Sequence, residues 1–245
     1  MERTLYPAKT NVLTIIPTDV SCPNLFGIEL EIEFPSEEMR AAFIPFFYSD
    51  PLPPAILTHE RSILCGVEIV TAPVILSELP HVIKLIIEKC RRGGATVSHR
   101  TGLHIHVSRA GLTVDPLEIF RFLNNPVHRE EIIGFAGRLS DYARFTTRPT
   151  PKPHRGYALI LLPTTTLEFR LFDARIDDEW IIGSVWFCHL LCKAPLPRSY
   201  AELIDKARRE GAPMFVITRL ESVPRTPLRK VYPPTYPAPC APQYW

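Results

Sequence analysis

The 245-residue chain predicts an α+β fold, a mainly antiparallel sheet with helices gathered on one face. Three observations carry that prediction. Strand-like segments alternate apolar and polar residues instead of running as solid Val/Ile blocks, the pattern of strands with one covered and one open face. Helical hairpins with recognisable caps separate those strands instead of alternating with them one for one. The chain is also long enough to bury a sizeable core without disulfide or metal staples.

The elements follow in order. Gly27 to Phe34 reads GIELEIEF, with Ile28, Leu30, Ile32 and Phe34 on one face and Glu29, Glu31 and Glu33 on the other. Residues 41 to 58 contain Pro45, Pro51, Pro53 and Pro54 and read as a loop or broken segment. A strand pair is expected at Ala55 to Leu64 and Gly66 to Thr71, closed by Pro73. Ser77 is the expected cap of a helix whose apolar positions are Leu79, Val82, Ile83, Ile86, Ile87 and Cys90, with Gly93-Gly94 stopping it.

Gly102 to Ser108 alternates again, placing His104 and His106 opposite Leu103, Ile105 and Val107. Asp115-Pro116 opens a short helix to Asn124, and Asn125-Pro126 opens another through Phe135. From Arg138 to Arg155, Arg138, Arg144, Arg148, Lys152 and Arg155 face one acid, Asp141, which predicts a basic loop. Tyr157 to Leu162 and Thr165 to Phe172 form a hairpin pattern around Pro163-Thr164. Asp177 caps a long helix from Trp180 to Cys192, and Ser199 with Glu202 forms a capping box for a last helix ending at Gly211. The expected organisation is a lead-in over residues 1–21, one domain over 22–222, and an extended or disordered tail over 223–245, where seven of 23 residues are proline.

Composition excludes several classes. With 28 basic against 26 acidic residues, nucleic-acid binding driven by net charge is not expected. The best apolar run, Ile181 to Cys192, stops after twelve residues, short of the roughly 18 that span a bilayer. Glu2, Arg3, Lys9 and Asp19 interrupt the N-terminal segment, so no export signal is expected. Six cysteines without a C-x-x-C pair suit reduced thiols in a cytoplasm; Cys188 and Cys192 read as packing, as do Trp180, Trp186 and Phe187.

The strands share one chemical feature. Glu29, Glu31 and Glu33, then Glu68, then His104 and His106, then Glu168 and Arg170 all lie opposite an apolar face. Taken singly, these are solvated strand faces, ordinary strand histidines and a weak ion pair. Together on one sheet they collect enough like charge to require cations between them. Same-face neighbours lie about 6.7 Å apart, so Glu29 and Glu31 can bracket one ion or two adjacent ions, whereas Glu29 and Glu33, about 13 Å apart, cannot share one. Glu33 is therefore the weakest member. Carboxylates with at most one imidazole favour Mg²⁺ or Mn²⁺, often together with substrate phosphates. Neither G-x-x-x-x-G-K-[ST] nor G-x-G-x-x-G occurs, so a nucleotide would need another cradle.

GIELEIEF, ERSILCGVEIVTAPV, TGLHIHVS and TTLEFRLFDARID follow one another in the order and approximate spacing of the amidoligase family, a branch of the glutamine synthetase-like carboxylate-amine ligases. The chain resembles that family from about Cys22 to Cys192. Glu29 and Glu31 match its first acidic pair, Glu68 the acid of its second motif, His104 and His106 its H-x-H, and Glu168 with Arg170 its E-x-R. Glu60-Arg61-Ser62-Ile63 resembles its Asp-Gly-Ser-hydrophobic turn, but with Glu for Asp and Arg for Gly, which leaves Glu60 without an assigned role.

The resemblance implies a funnel-like sheet with ATP at one end and Mg²⁺ or Mn²⁺ between its phosphates and the strand carboxylates. Glu29, Glu31, Glu68, Glu168 and His104 are then the candidate metal ligands, and His106, Arg144, Arg148, Arg155 and Arg170 the candidate contacts to ATP. Arg170, Glu168 and His104 are the candidate catalytic groups. The implied reaction joins a small-molecule or peptide carboxylate to an amine through an acyl phosphate. Two other classes stay open: a metal-dependent hydrolase using the histidine pair, and an adaptor that uses the proline-rich tail as a peptide ligand.

Overall fold

A computed structural model describes residues 24–51, 53–59, 63–137, 158–161 and 165–223. The strands are β1 (Leu25–Glu33), β2 (Ala55–His59), β3 (Gly66–Thr71), β4 (Val74–Ile75), β5 (Gly102–Ser108), β6 (Leu159–Ile160) and β7 (Thr166–Asp173). The helices are α1 (Glu37–Phe47), α2 (Leu79–Arg92), α3 (Pro116–Asn124), α4 (Arg129–Ala136), α5 (Asp178–Cys192), α6 (Tyr200–Arg209) and α7 (Met214–Glu221). A 3₁₀ turn, Arg109–Gly111, follows β5. Together these make the expected α+β fold with an antiparallel sheet.

Sheet order is β2-β3-β1-β5-β7-β6, with β4 pairing to the start of β1, and every pair is antiparallel. Pro73 has no N–H to give the ladder, so the pairing beside β1 breaks there and resumes as β4, a two-residue strand the sequence pattern does not reveal. The apolar alternation puts Phe26, Ile28, Leu30, Ile32, Leu57, Val67, Ile69, Leu103, Ile105, Val107, Leu167 and Phe169 on one fully buried face. Helix α5 packs on β5 and against α2, and α4 packs on β7. Burying this apolar face is the main stabilising term of the fold.

The caps are side-chain hydrogen bonds. Asp115 accepts from the Leu117 N–H, Asp177 from Trp180 N–H and Ser199 from Glu202 N–H, as their positions predict. Lys206, almost fully buried on α6, donates to the carbonyls of Leu190, Lys193 and Pro195 and so satisfies the C-terminal end of α5 with a cation.

Four expectations are corrected. Residues 37–47 form a helix, not a broken segment: Ser36 accepts from Met39 N–H, Glu37 and Glu38 fill the first turn, and Phe43, Ile44 and Phe47 are buried. Pro45 is tolerated because it stands in the last turn, where its missing N–H removes a single bond. Ser77 is not the cap of α2. Glu78 holds that position without a side-chain bond, after a turn over 76–78, and Pro80 stands in the first turn of the helix. Asn125 does not open the next helix directly; it accepts from Val127 N–H in a turn, and α4 begins only at Arg129. Finally, the helix ending before Gly211 is followed by α7, which buries Val216, Ile217 and Leu220.

The predicted lead-in 1–21, the predicted tail 223–245 apart from Val223, Glu60 and the basic loop 138–155 lie outside the described residues. Among the described residues no helix is long and apolar enough to cross a membrane. Cys90, Cys188 and Cys192 are buried, and burial raises the Cys90 thiol to about 12, the state of inert packing thiols.

Phe187 is fully buried, stacked on Phe135 at 4.9 Å and edge-on to Phe172 at 6.0 Å. Replacing it (Phe187→Ala) is expected to cost about 3–5 kcal/mol of unfolding free energy in urea titration; a loss below about 1 kcal/mol would contradict this packing.

Candidate functional site

Strand register decides which side chains meet. Directly paired residues face the same side, so three rows cross the polar face of the sheet. In one row Thr58 pairs with Glu68 and Glu68 with Glu31. In the next, Ile56, Val70, Glu29 and His104 are aligned. In the third, Gly27, His106 and Glu168 are aligned, with Ile160 at the edge.

The ladder slips once. Between Leu103 and Ile105 of β5, the partner residues on β7 jump from Phe172 to Phe169, so His104 faces both Arg170 and Leu171. This is a β-bulge, and it changes the alternation of β7: Leu171 and Phe172 are both buried, while Asp173 turns to the polar face. Two adjacent apolar residues in TLEFRLFD are the sequence trace of that slip. Arg170 Nη1 consequently lies 3.4 Å from His104 Nδ1 while donating to Glu168 Oε1 at 2.6 Å.

Glu29 is the centre of the group. His104 Nδ1 lies 3.2 Å from its Oε2, and His106 Nε2 lies 3.2 Å from its Oε1. Burial pushes the Glu29 carboxyl up, but the contacts and charges of His104 and His106 outweigh it and hold the group well below the usual carboxylate range. Burial lowers His104, more than Glu29 can raise it, so this ring is neutral near pH 7. Burial lowers His106 too, yet Glu29 and Glu168 together carry it above its ordinary value.

Because Glu29 Oε2 at 3.2 Å is an ionised acceptor, we assign the Nδ1 proton of His104 to that contact; Arg170 Nη1, 3.4 Å from the same nitrogen, then makes no hydrogen bond to the ring, and Nε2 keeps its lone pair. That Nε2 is buried, 3.7 Å from Glu31 Oε1, with no hydrogen-bond partner among the described residues. A lone pair set against a carboxylate oxygen is an arrangement that a cation relieves. A ligating imidazole also characteristically gives its other ring N–H to a carboxylate.

Among the described residues, two sets of ligand atoms come within 4.8 Å of one another: Glu29, Glu68 and His104; and Glu29, His106 and Glu168. Five of the expected site residues therefore converge in sets that share Glu29. Glu31 belongs to neither set; Gly102 N–H donates to its Oε2 at 2.6 Å, and it is nearly buried beside His104. Glu33 stands at the end of β1 opposite Gly66, outside both sets. Arg144, Arg148, Arg155 and Glu60 lie outside the described residues. Two groups escaped the sequence reading: Thr58, whose Oγ1 donates to Glu68 Oε2 at 2.8 Å, and the Gly102 amide. Neither carries a local signal, since each acquires its partner only through register. No known protein-family model and no curated protein matches the chain.

The cluster gives a pH signature in the metal-free chain. Glu29, held below its ordinary value, contributes stability above pH about 4.5 that is lost as pH falls. His106, held above its ordinary value of 6.5, contributes stability at lower pH that is lost as pH rises through its raised pKa. Both charges coexist between those limits. Glu29→Gln is thus expected to cost about 1–3 kcal/mol near pH 5.5. The cost shrinks as pH rises past the raised pKa of His106, because the neutral imidazole no longer compensates Glu29 for repulsion by its neighbouring acids. Urea midpoints from pH 5.5 upward check this; a cost that never falls would refute it.

Proposed function

We propose that the chain is an ATP-dependent carboxylate-amine ligase of the amidoligase type, on a glutamine synthetase-like core with its polar sheet face curved into a funnel. The observation that carries this reading is the pair of ligand sets sharing Glu29, assembled from β1, β3, β5 and β7. It is supported by the match between these residues and the acidic pair, the second-motif acid, the H-x-H and the E-x-R of that family.

The donor set suits hard divalent ions of the Mg²⁺ or Mn²⁺ kind. It offers oxygens with one imidazole per set and no thiolate, and the buried His104 Nε2 has no hydrogen-bond partner among the described residues. Glu29, Glu68 and His104 would hold one ion, and Glu29, His106 and Glu168 another, with Glu31 beside the first. Bound there, such ions would offset the charge on the ATP phosphates during transfer of the γ-phosphoryl to a substrate carboxylate.

The protein's own groups do the rest. Arg170, anchored by Glu168 and set close to His104 by the bulge, presents a planar donor fork to the transferring phosphoryl oxygens. The products of the first half are ADP and an acyl phosphate. An amine then attacks the acyl carbon, phosphate leaves, and an amide remains. His104, neutral and fixed by Glu29, keeps its position without adding positive charge of its own. Small-molecule or peptide carboxylates and amines are the proposed substrates, and the cytoplasm the proposed location.

Calorimetric titration with a non-hydrolysable ATP analogue, with and without Mg²⁺, tests the reading. Binding is expected only with the metal and is expected to weaken by about 10- to 100-fold in Glu29→Gln. Metal-independent binding, or binding indifferent to that substitution, would sink the proposal.

A further inference from the structure

Glu31 and Glu68 are direct partners across β1 and β3. Like charges so placed push apart. A donor on the far side holds each one. Gly102 N–H of β5 reaches Glu31 Oε2, and the Thr58 hydroxyl of β2 reaches Glu68 Oε2 at 2.8 Å. Thr58, Glu68 and Glu31 thus form a row across three strands, with a hydrogen-bond donor at each end.

Thr58 is half-buried on β2, which forms one end of the sheet order, and its side chain shares the polar face with Glu68. A carboxylate that accepts one hydroxyl bond keeps lone pairs for a cation while losing free rotation about its terminal torsion. The set Glu29, Glu68 and His104 needs just one oxygen from Glu68. Outer partners of this kind orient metal-binding carboxylates, and their loss commonly weakens metal affinity by about 10- to 100-fold.

We infer that Thr58 is a positioning residue for the divalent-cation site: its hydroxyl fixes the Glu68 carboxylate in the orientation that closes the set with Glu29 and His104. The inference rests on the metal reading proposed above. Thr58 acts through Glu68 and takes no place in the ligand set itself.

Mn²⁺ binding to the full chain, followed by calorimetry at pH 7.5, tests it in wild type, Thr58→Val, Thr58→Ser, Glu68→Gln and the double variant Thr58→Val/Glu68→Gln. Valine keeps the branched shape that suits a strand and deletes the donor alone. Thr58→Val is expected to lose about 10- to 100-fold in Mn²⁺ affinity with an unchanged thermal midpoint in the metal-free state. Thr58→Ser, which retains the hydroxyl, is expected to bind like wild type. Added to Glu68→Gln, the valine substitution is expected to cost no more than the roughly twofold scatter of independent sites.

A Thr58→Val chain that binds Mn²⁺ as tightly as wild type overturns the inference, as does an undiminished further loss in the double variant. Should Thr58→Val lower the metal-free midpoint, Thr58→Ser decides, and a serine variant as weak as the valine one overturns it. A wild type that takes up no Mn²⁺ overturns the metal reading and this inference together, whereas wild-type binding beside an unaffected Thr58→Val overturns the inference alone.

Discussion

Electrostatic repulsion among Glu29, Glu31, Glu68 and Glu168 is the constraint around which the polar face of the sheet is organised. Three strands bring these acids to one surface, two of them directly opposed, and no such arrangement persists without compensation. Compensation comes from several sources. His104 and His106 flank Glu29, Arg170 holds Glu168, Thr58 holds Glu68 and the Gly102 amide holds Glu31. Neighbours drawn from the strands themselves therefore ease the repulsion at this face.

The opposite face supplies the stability that such a surface consumes. Every strand of the central ladder presents fully buried Ile, Leu, Val or Phe side chains to the helical layer, and α5 lies across it with almost all of its length buried. A rigid backing matters for chemistry as well as for stability. Groups mounted on paired strands hold their spacing better than groups on loops, which is what a multi-ligand cation site or a phosphoryl-transfer site demands. The bulge on β7 fits the same logic, since one slipped residue brings Arg170 to His104 without breaking the sheet.

On the ligase reading, this architecture separates two tasks. The carboxylates and imidazoles around Glu29 would hold cations and so gather phosphate charge, while Arg170 would act on the oxygens of the group in flight. Each task needs a different donor chemistry: convergent oxygens with an imidazole for the ions, a planar cationic fork for phosphoryl. Both occur within a few residues of the centre of one sheet, where the backbone is most constrained.

Most of the ladder was legible in the residue pattern because period-2 alternation is a local property: GIELEIEF, GVEIVT, GLHIHVS and TLEFRLFD announce their faces unaided. The identity of the candidate site residues was legible for the same reason. Where proline and cap signals competed, local reading failed. Pro45 outweighed Ser36 and the buried Phe43 and Phe47 in the sequence, although a proline in a last turn costs little; α7 and β4 left too short a pattern to register. Register, and everything that depends on it, was decided by tertiary structure alone. Sequence put Glu68, His104 and Glu168 on polar faces, but only pairing across the sheet could set Glu68 beside Glu31, centre both histidines on Glu29, and give Thr58 its carboxylate. The physical reason is that facing follows from each residue's own neighbours in the chain, whereas distance between strands follows from how their backbone hydrogen bonds align.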